Sequence, residues 1–419
     1  MSKVTYLKAT EIIDSRGKPT VSVEIILDDK HRGRASIPSG SSTGIHEALE
    51  LRDNDKNRYG GNGVLKACDN VNVKVVDAIK DIEFNNQNDL DDFLIKLDGT
   101  ENKSELGANA ILGVSLAFAR AESIFKGQKL FEYIQTISET KEVSIPKPMM
   151  NILNGGKHAD NKVDIQEFMI MPKKSSITEN VRLGSEIFYA LKNILRENKY
   201  FTGVGDEGGF APDLKNNKEA LNLIVAAIEN SGFKPGEDID LAIDAAASSF
   251  FNEMNNNYVL KSDNKEINSQ ELINMYKLWI EQYPLVSIED PLFEDDWLGF
   301  ADFTKKFGDR IQVVGDDHYV TNTKRLKRGI KEKTSNAILI KLNQIGTLTE
   351  TIKAINLAKE NNFNTIISHR SGETCDTFIA DLAVGTDAGF IKTGSLSRSE
   401  RTSKYNRLME IENIIENNG

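Results

Sequence analysis

Residues 3–38 alternate apolar and polar positions as paired strands do, most plainly in PTVSVEIILDD, where turn residues follow. SIPSGSSTGIHE comes next, with five Ser or Thr and two Gly in twelve positions, the composition of a flexible loop. Helical spacing then takes over, as in NAILGVSLAFARAESIF. ETKEVSIPKP, residues 139–148, reads as a linker, so the pattern predicts two domains, 1–138 and 139–419. Beyond the linker, short apolar runs alternate with amphipathic segments, which is the sequence form of βα units around a parallel sheet. The runs LAID, VSIED, IQVVGDD, AILIK, TIISHR and FIKTG end on Asp244, Glu289, Asp316, Lys341, His369 with Arg370, and Lys392, and from Glu289 onward the step is about 25 residues. One lysine at a strand end, such as Lys341, reads most simply as a snorkelling or edge residue. Six charged ends in succession read instead as a (β/α)8 barrel, whose functional groups project from the carboxyl ends of the strands into one mouth.

Bulk properties narrow the classes. At 419 residues the chain exceeds one ordinary core, and 39% hydrophobic with 27% charged residues is the balance of a globular protein. A formal charge of −11 with scattered Lys and Arg disfavours nucleic acid or an anionic membrane as partner. Cys68 and Cys375 form neither a metal-knuckle spacing nor a disulfide framework, which fits a reducing cytoplasm. The N-terminus has no signal-peptide core, and no window approaches about 18 consecutive apolar residues, so neither export by that route nor membrane spanning is expected.

Asp244, Glu289 and Asp316 leave three successive strands and offer only hard oxygen ligands, which suits Mg²⁺. Each alone is a surface charge; together they repel unless a cation neutralises them. Lys341, His369, Arg370 and Lys392 give the other side of the mouth a positive wall for a phosphate or carboxylate substrate. A lysine among cations and beside a metal has its pKa pushed down and can serve as general base, the role expected of Lys341. The loop TGVGDEGGFAP, residues 202–212, sets four glycines around Asp206 and Glu207; it is either a glycine-rich turn with exposed acids or a backbone that brings a carboxylate close to a ligand. It lacks both the Walker lysine and the dinucleotide fingerprint.

EIIDSRGKPTV, SGSSTGIHEALELRD, MMNILNGGKHADN, DIQEFMI, GDEGGFAP, SIEDPLFEDDW, GDDHYVTN, SHRSGET and IKTGSLSRSERTSKYNRLMEIE resemble the motifs of the enolase family, in the family's order and along nearly the whole chain. The resemblance implies a smaller N-terminal α+β domain before an enolase-type barrel that opens with two strands and two helices, its second strand antiparallel. It implies reversible dehydration of 2-phospho-D-glycerate to phosphoenolpyruvate and water, with two Mg²⁺ per site once substrate is bound; a Lys or His base beside Mg²⁺ is a property of the superfamily. Carried over by position, the metal ligands fall on Asp244, Glu289 and Asp316, the proton acceptor on Lys341 and the proton donor on Glu207. Substrate contacts fall on His158, Gln166, Glu167, Arg370, Ser371 and Lys392, with His369 in the pocket, and Ser42 helps hold the second Mg²⁺ when its loop closes. The family also implies a homodimer, in some members a ring of dimers, and leaves room for an additional cell-surface pool. Ser41, Ser249, His318 and Cys375 depart from the family's usual residues, none of them at a position that contacts metal or substrate. Another metal-dependent acid-sugar dehydratase and a non-catalytic surface receptor are the alternatives; the presence of both Lys341 and Glu207 speaks against the second.

Overall fold

A computed structural model describes residues 2–40, 44–80 and 82–418. The N-terminal unit is a four-stranded antiparallel sheet of order β3-β2-β1-β4, built from β1 (Ser2–Ile13), β2 (Pro19–Leu27), β3 (His31–Ser36) and β4 (Glu83–Phe84). Val21, Val23, Ile25 and Leu27 are wholly buried, as the alternation requires of one face of a strand. The helix Ala108–Phe125 covers that face and is buried on almost every side; it is the only helix among the described residues long and apolar enough to cross a membrane. Its approach to the sheet depends on Gly33, where an added Cβ would lie 2.0 Å from the Ala117 carbonyl oxygen. Residues 139–146 form no element between the helix Leu130–Ser138 and β5 (Lys147–Asn154).

The second unit is a closed eight-stranded barrel of β5, β6 (Glu167–Pro172), β7 (Ile239–Asp244), β11 (Leu285–Glu289), β12 (Gln312–Gly315), β13 (Ala337–Ile340), β14 (Asn364–Ser368) and β15 (Phe390–Lys392). Every neighbouring pair is parallel except β5/β6 and β6/β7, so β6 alone runs the other way. Two helices, Ile177–Glu197 and Asn217–Asn230, follow β6 before the regular alternation starts. The interior is filled by Met149, Met169, Met171, Ala242, Val314, Ala337, Leu339 and Ile366 below the mouth, which makes it a packed core. Between β7 and β11 the chain adds a small sheet of β8 (Phe251–Asn252), β9 (Asn257–Leu260) and β10 (Lys265–Ile267), which the sequence pattern did not predict.

The N-terminal unit sits at the mouth. Ser39 and Gly372 exchange backbone hydrogen bonds at 2.8 Å, Ser15 N–H donates to the Glu373 carbonyl at 2.7 Å, and Arg120 forks onto Asp376 at 2.6 and 2.7 Å. These contacts hold the base of the SGSSTG loop beside β14 and the segment after it.

Candidate active site

The register of the barrel puts the expected site residues at one height: Glu289 pairs with Asp244, Asp244 with Glu167, and Lys392 with Ser368. Glu167 reaches the mouth from the start of its strand because β6 is reversed. One narrow cavity is lined by His158, Gln166, Glu167, Glu207, Lys341, Ser368, His369, Arg370, Ser371 and Lys392. Nine of those ten were expected; Ser368 is the addition. Ser42 and Ser41 lie outside the described residues.

Lys392 is 1% exposed. Its ammonium donates to both oxygens of Glu289 at 2.8 and 2.9 Å, to Glu167 Oε1 at 3.1 Å and to Asp244 Oδ2 at 3.3 Å. Burial and the charge of Asp244 push Glu289 well above the ordinary carboxylate value, and burial with the charge of Glu207 does the same to Glu167. Burial works against the charge on Lys392, but Glu167, Glu289 and Asp244 outweigh it and hold its pKa well above the usual lysine value.

Asp316 faces Lys341 and Gln344 instead: Lys341 Nζ donates to its Oδ2, and Gln344 Nε2 donates to its Oδ1 at 2.9 Å. With no cation beside it, Lys341 shifts the other way from a lysine next to a metal. Burial, Arg370 and Lys392 lower it, but the Asp316 carboxylate prevails and lifts Lys341 above its ordinary pKa.

Glu207 comes from a loop whose glycines permit close approach; at Gly208, with φ +87°, an added Cβ would meet the Ser397 carbonyl oxygen at 2.5 Å. The carboxylate accepts from Asn151 Nδ2 at 2.9 Å and lies 3.5 Å from His158 Nδ1 and 3.3 Å from His369 Nε2. One of its oxygens, one of Glu167 and a ring nitrogen of His158 lie within 4.8 Å of one another. Burial raises Glu207, yet the two imidazoles and Arg401 more than offset this and hold it well below the usual value. Arg401, wholly buried, donates to His369 Nδ1 at 2.6 Å, which leaves Nε2 as the nitrogen that carries hydrogen toward Glu207.

Arg370 Nη1 donates to both oxygens of Glu47 at 3.1 and 3.2 Å. A second acidic group, Asp290, Asp316 and Asp317, brings one oxygen from each within 4.8 Å of the others; burial and the neighbouring Asp316 push Asp317 up to about 8. Asp290 accepts from the backbone N–H of Asp316 at 2.9 Å and of Asp317 at 2.8 Å, so it shapes the turn that presents Asp316.

Asn151, Arg401, Glu47, Gln344 and Asp290 went unassigned in the sequence reading. Asp290 alone carried a signal, since it follows Glu289 in SIED. Of the unusual residues, His318 is buried and satisfied: its Nδ1 donates to the Glu294 carbonyl at 2.8 Å, its Nε2 accepts from the Thr334 hydroxyl at 3.0 Å, and Phe300 stacks on it at 4.0 Å. Ser249 and Cys375 are exposed.

An eight-stranded barrel with buried carboxylates, lysines and histidines meeting at the strand ends defines an acid–base enzyme of the metal-dependent barrel class. Comparison with known proteins narrows this. Residues 4–134 match the family described as enolase, N-terminal domain, and residues 142–419 match enolase, C-terminal TIM barrel domain. The enolase of Natranaerobius thermophilus is 55% identical over 412 residues, 98% of this chain and 95% of that protein. The chain belongs to the enolase family, the lyases (phosphopyruvate hydratases) that interconvert 2-phospho-D-glycerate with phosphoenolpyruvate and water in glycolysis. That family is metal-dependent, and the acidic clusters of the mouth are of the kind that binds metal.

Proposed function

We propose that Lys341 is the proton acceptor and Glu207 the proton donor of the dehydration, and that Asp244, Glu289 and Asp316 hold Mg²⁺. One observation carries this reading: Lys341 and Glu207 line the same cavity in different company, the first against Asp316, the second among two imidazoles and Asn151. The donor set fits a hard cation, being buried carboxylates in excess of the lysines that neutralise them, with Glu167 Oε2 left without a partner. Bound there, Mg²⁺ supplies charge neutralisation for the substrate carboxylate as its C2 proton leaves.

Arg370 and Lys392 grip the phosphate and carboxylate, with His158, Gln166, Glu167, His369 and Ser371 completing the pocket. Lys341 takes the C2 proton. Its raised pKa comes from Asp316, so engagement of that carboxylate elsewhere leaves burial, Arg370 and Lys392 to lower it, as a base requires. Glu207 protonates the departing C3 hydroxyl. Ser42, outside the described residues, would help hold a second Mg²⁺. The assembly is a homodimer, which light scattering would test, and the compartment is the cytoplasm.

Two variants separate the roles. Lys341→Ala stops both C2 exchange with deuterated solvent and phosphoenolpyruvate formation. Glu207→Gln keeps C2 exchange while dehydration falls, general acid help being worth roughly 10² to 10⁴-fold. Loss of exchange in Glu207→Gln with its retention in Lys341→Ala would reverse the assignment.

A further inference from the structure

We infer that Gln344 is a positioning residue, whose amide fixes the Asp316 carboxylate and ties it to the foot of the SGSSTG loop through Glu47. This rests on the reading of Asp316 as a metal ligand. Gln344 belongs to the single turn Leu342–Ile345 that begins straight after Lys341, and it is 1% exposed. Its Nε2 donates to Asp316 Oδ1 at 2.9 Å and to Glu47 Oε1 at 3.3 Å, and its Oε1 accepts from the Thr321 hydroxyl at 3.0 Å. Two carboxylates can only accept, so the amide has one workable orientation. Asp316 is thereby divided: Oδ1 stays on the amide, and Oδ2, now on Lys341, is the oxygen that changes partner.

The other end of the amide is held with equal care. Thr321 is wholly buried, and its hydroxyl oxygen accepts the Lys341 backbone N–H at 2.9 Å. Val320 and Thr321 sit at φ +47° and +55°, a region that β-branched residues occupy only when the surroundings force them. That strain sets one hydroxyl between the backbone of the base and the amide on the metal ligand. On the far side, Glu47 Oε1 also accepts from the Gly44 N–H at 3.0 Å, and the same carboxylate holds Arg370. Asp316, Gln344, Glu47 and Arg370 thus form one hydrogen-bonded chain from the metal site to the phosphate-binding cation.

Groups that orient a metal ligand act on affinity for the ion even without substrate. Gln344→Met keeps the length and apolar bulk but removes both donors. Its Mn²⁺ binding, followed by the spin-resonance signal of the free ion in substrate-free protein, should weaken roughly 10- to 100-fold, while the melting temperature of the metal-free chain stays close to that of the parent. Thr321→Val should shift Mn²⁺ binding the same way and Thr321→Ser should restore it, a rescue that lost packing would not give. Asp316→Asn, run alongside, tests the underlying reading: retained Mn²⁺ binding there removes Asp316 as a ligand. If Asp316→Asn loses the ion while Gln344→Met and Thr321→Val bind it within about twofold of the parent, the positioning role is overturned and the ligand stands. Should Gln344→Met not fold, Thr321→Val against Thr321→Ser decides by the same two outcomes.

Discussion

Lys392→Met removes the cation around which the carboxylates of the mouth gather. The ammonium touches Glu289, Glu167 and Asp244 through four contacts of 2.8 to 3.3 Å and is sealed from water. Methionine fills the space, so the change is mainly one of charge, and three buried carboxylates lose their shared donor. Breaking a buried ion pair from one side costs about 3–5 kcal/mol. Protonation moderates the loss, because Glu289 and Glu167 are already pushed up. The sign follows: a carboxyl whose pKa is higher folded than unfolded stabilises the fold fully below its ordinary value, and that contribution fades as pH rises. The deficit of the variant should therefore grow from pH 5 to pH 8. Mg²⁺ at about a hundred times its dissociation constant stabilises a chain by about 2.7 kcal/mol, and the variant should gain more than the parent at one concentration, because no ammonium competes for the acids. Urea unfolding at pH 5 and pH 8, with chelator or with Mg²⁺, measures both effects. Equal stability of parent and variant at pH 8 without metal, or an equal gain from Mg²⁺, would refute the account.

Asp316→Asn or Glu289→Gln should largely abolish turnover and weaken Mg²⁺ binding in calorimetry without changing the far-ultraviolet circular dichroism; near-normal turnover at low Mg²⁺ removes that ligand. Cys68 is buried, with its thiol pushed up to about 12, whereas Cys375 is exposed, so a thiol-reactive chromophore at pH 8 should titrate one group in the native chain and two in denaturant. Asp91, wholly buried and lifted by burial to about 6, should make the parent lose stability as pH rises from about 4 through 6, and Asp91→Asn should flatten that part of the profile in thermal melts. Protease nicking between residues 39 and 46 should fall when substrate and Mg²⁺ are present together, as expected of a closing loop.

How far the sequence could be read depended on whether a residue's position follows from chain direction alone. The parallel strands announce themselves, because each apolar run delivers its last residue to the mouth; Asp244, Glu289, Asp316, Lys341 and Lys392 were legible for that reason. Glu167 was not, since β6 is antiparallel and presents its first residue; only resemblance reached it. His158, Gln166 and Ser371 were likewise found by resemblance, as loop geometry has no period. The small sheet across residues 251–267 escaped because NEMNNNYVLKSDNKEI offers too short an apolar stretch to register as a strand. Gln344 and Arg401 were invisible for another reason: their roles are relations to Asp316 and His369, and pattern along one segment does not encode a partner on another.

The Lys341 shift shows the same limit in electrostatics. Reading AILIK beside HR and FIKTG counts cations and a neighbouring metal and predicts a lowered pKa, and Arg370 and Lys392 do pull that way. The fold adds Asp316, and one carboxylate in contact with the ammonium outweighs two cations farther off because the interaction scales inversely with distance. Each lysine of the mouth is neutralised by acids: Lys392 by Glu289, Asp244 and Glu167, Lys341 by Asp316. A divalent cation with an anionic substrate can exchange these partners without leaving a buried charge unpaired. On the proposed roles the cation would take the acids and the substrate's phosphate and carboxylate would take Lys392 and Arg370, which leaves Lys341 to lose its proton. An anion arriving alone would find its cations occupied, and a cation arriving alone would have to displace ammonium groups. On that argument metal and substrate binding should reinforce each other, each being tighter in the presence of the other.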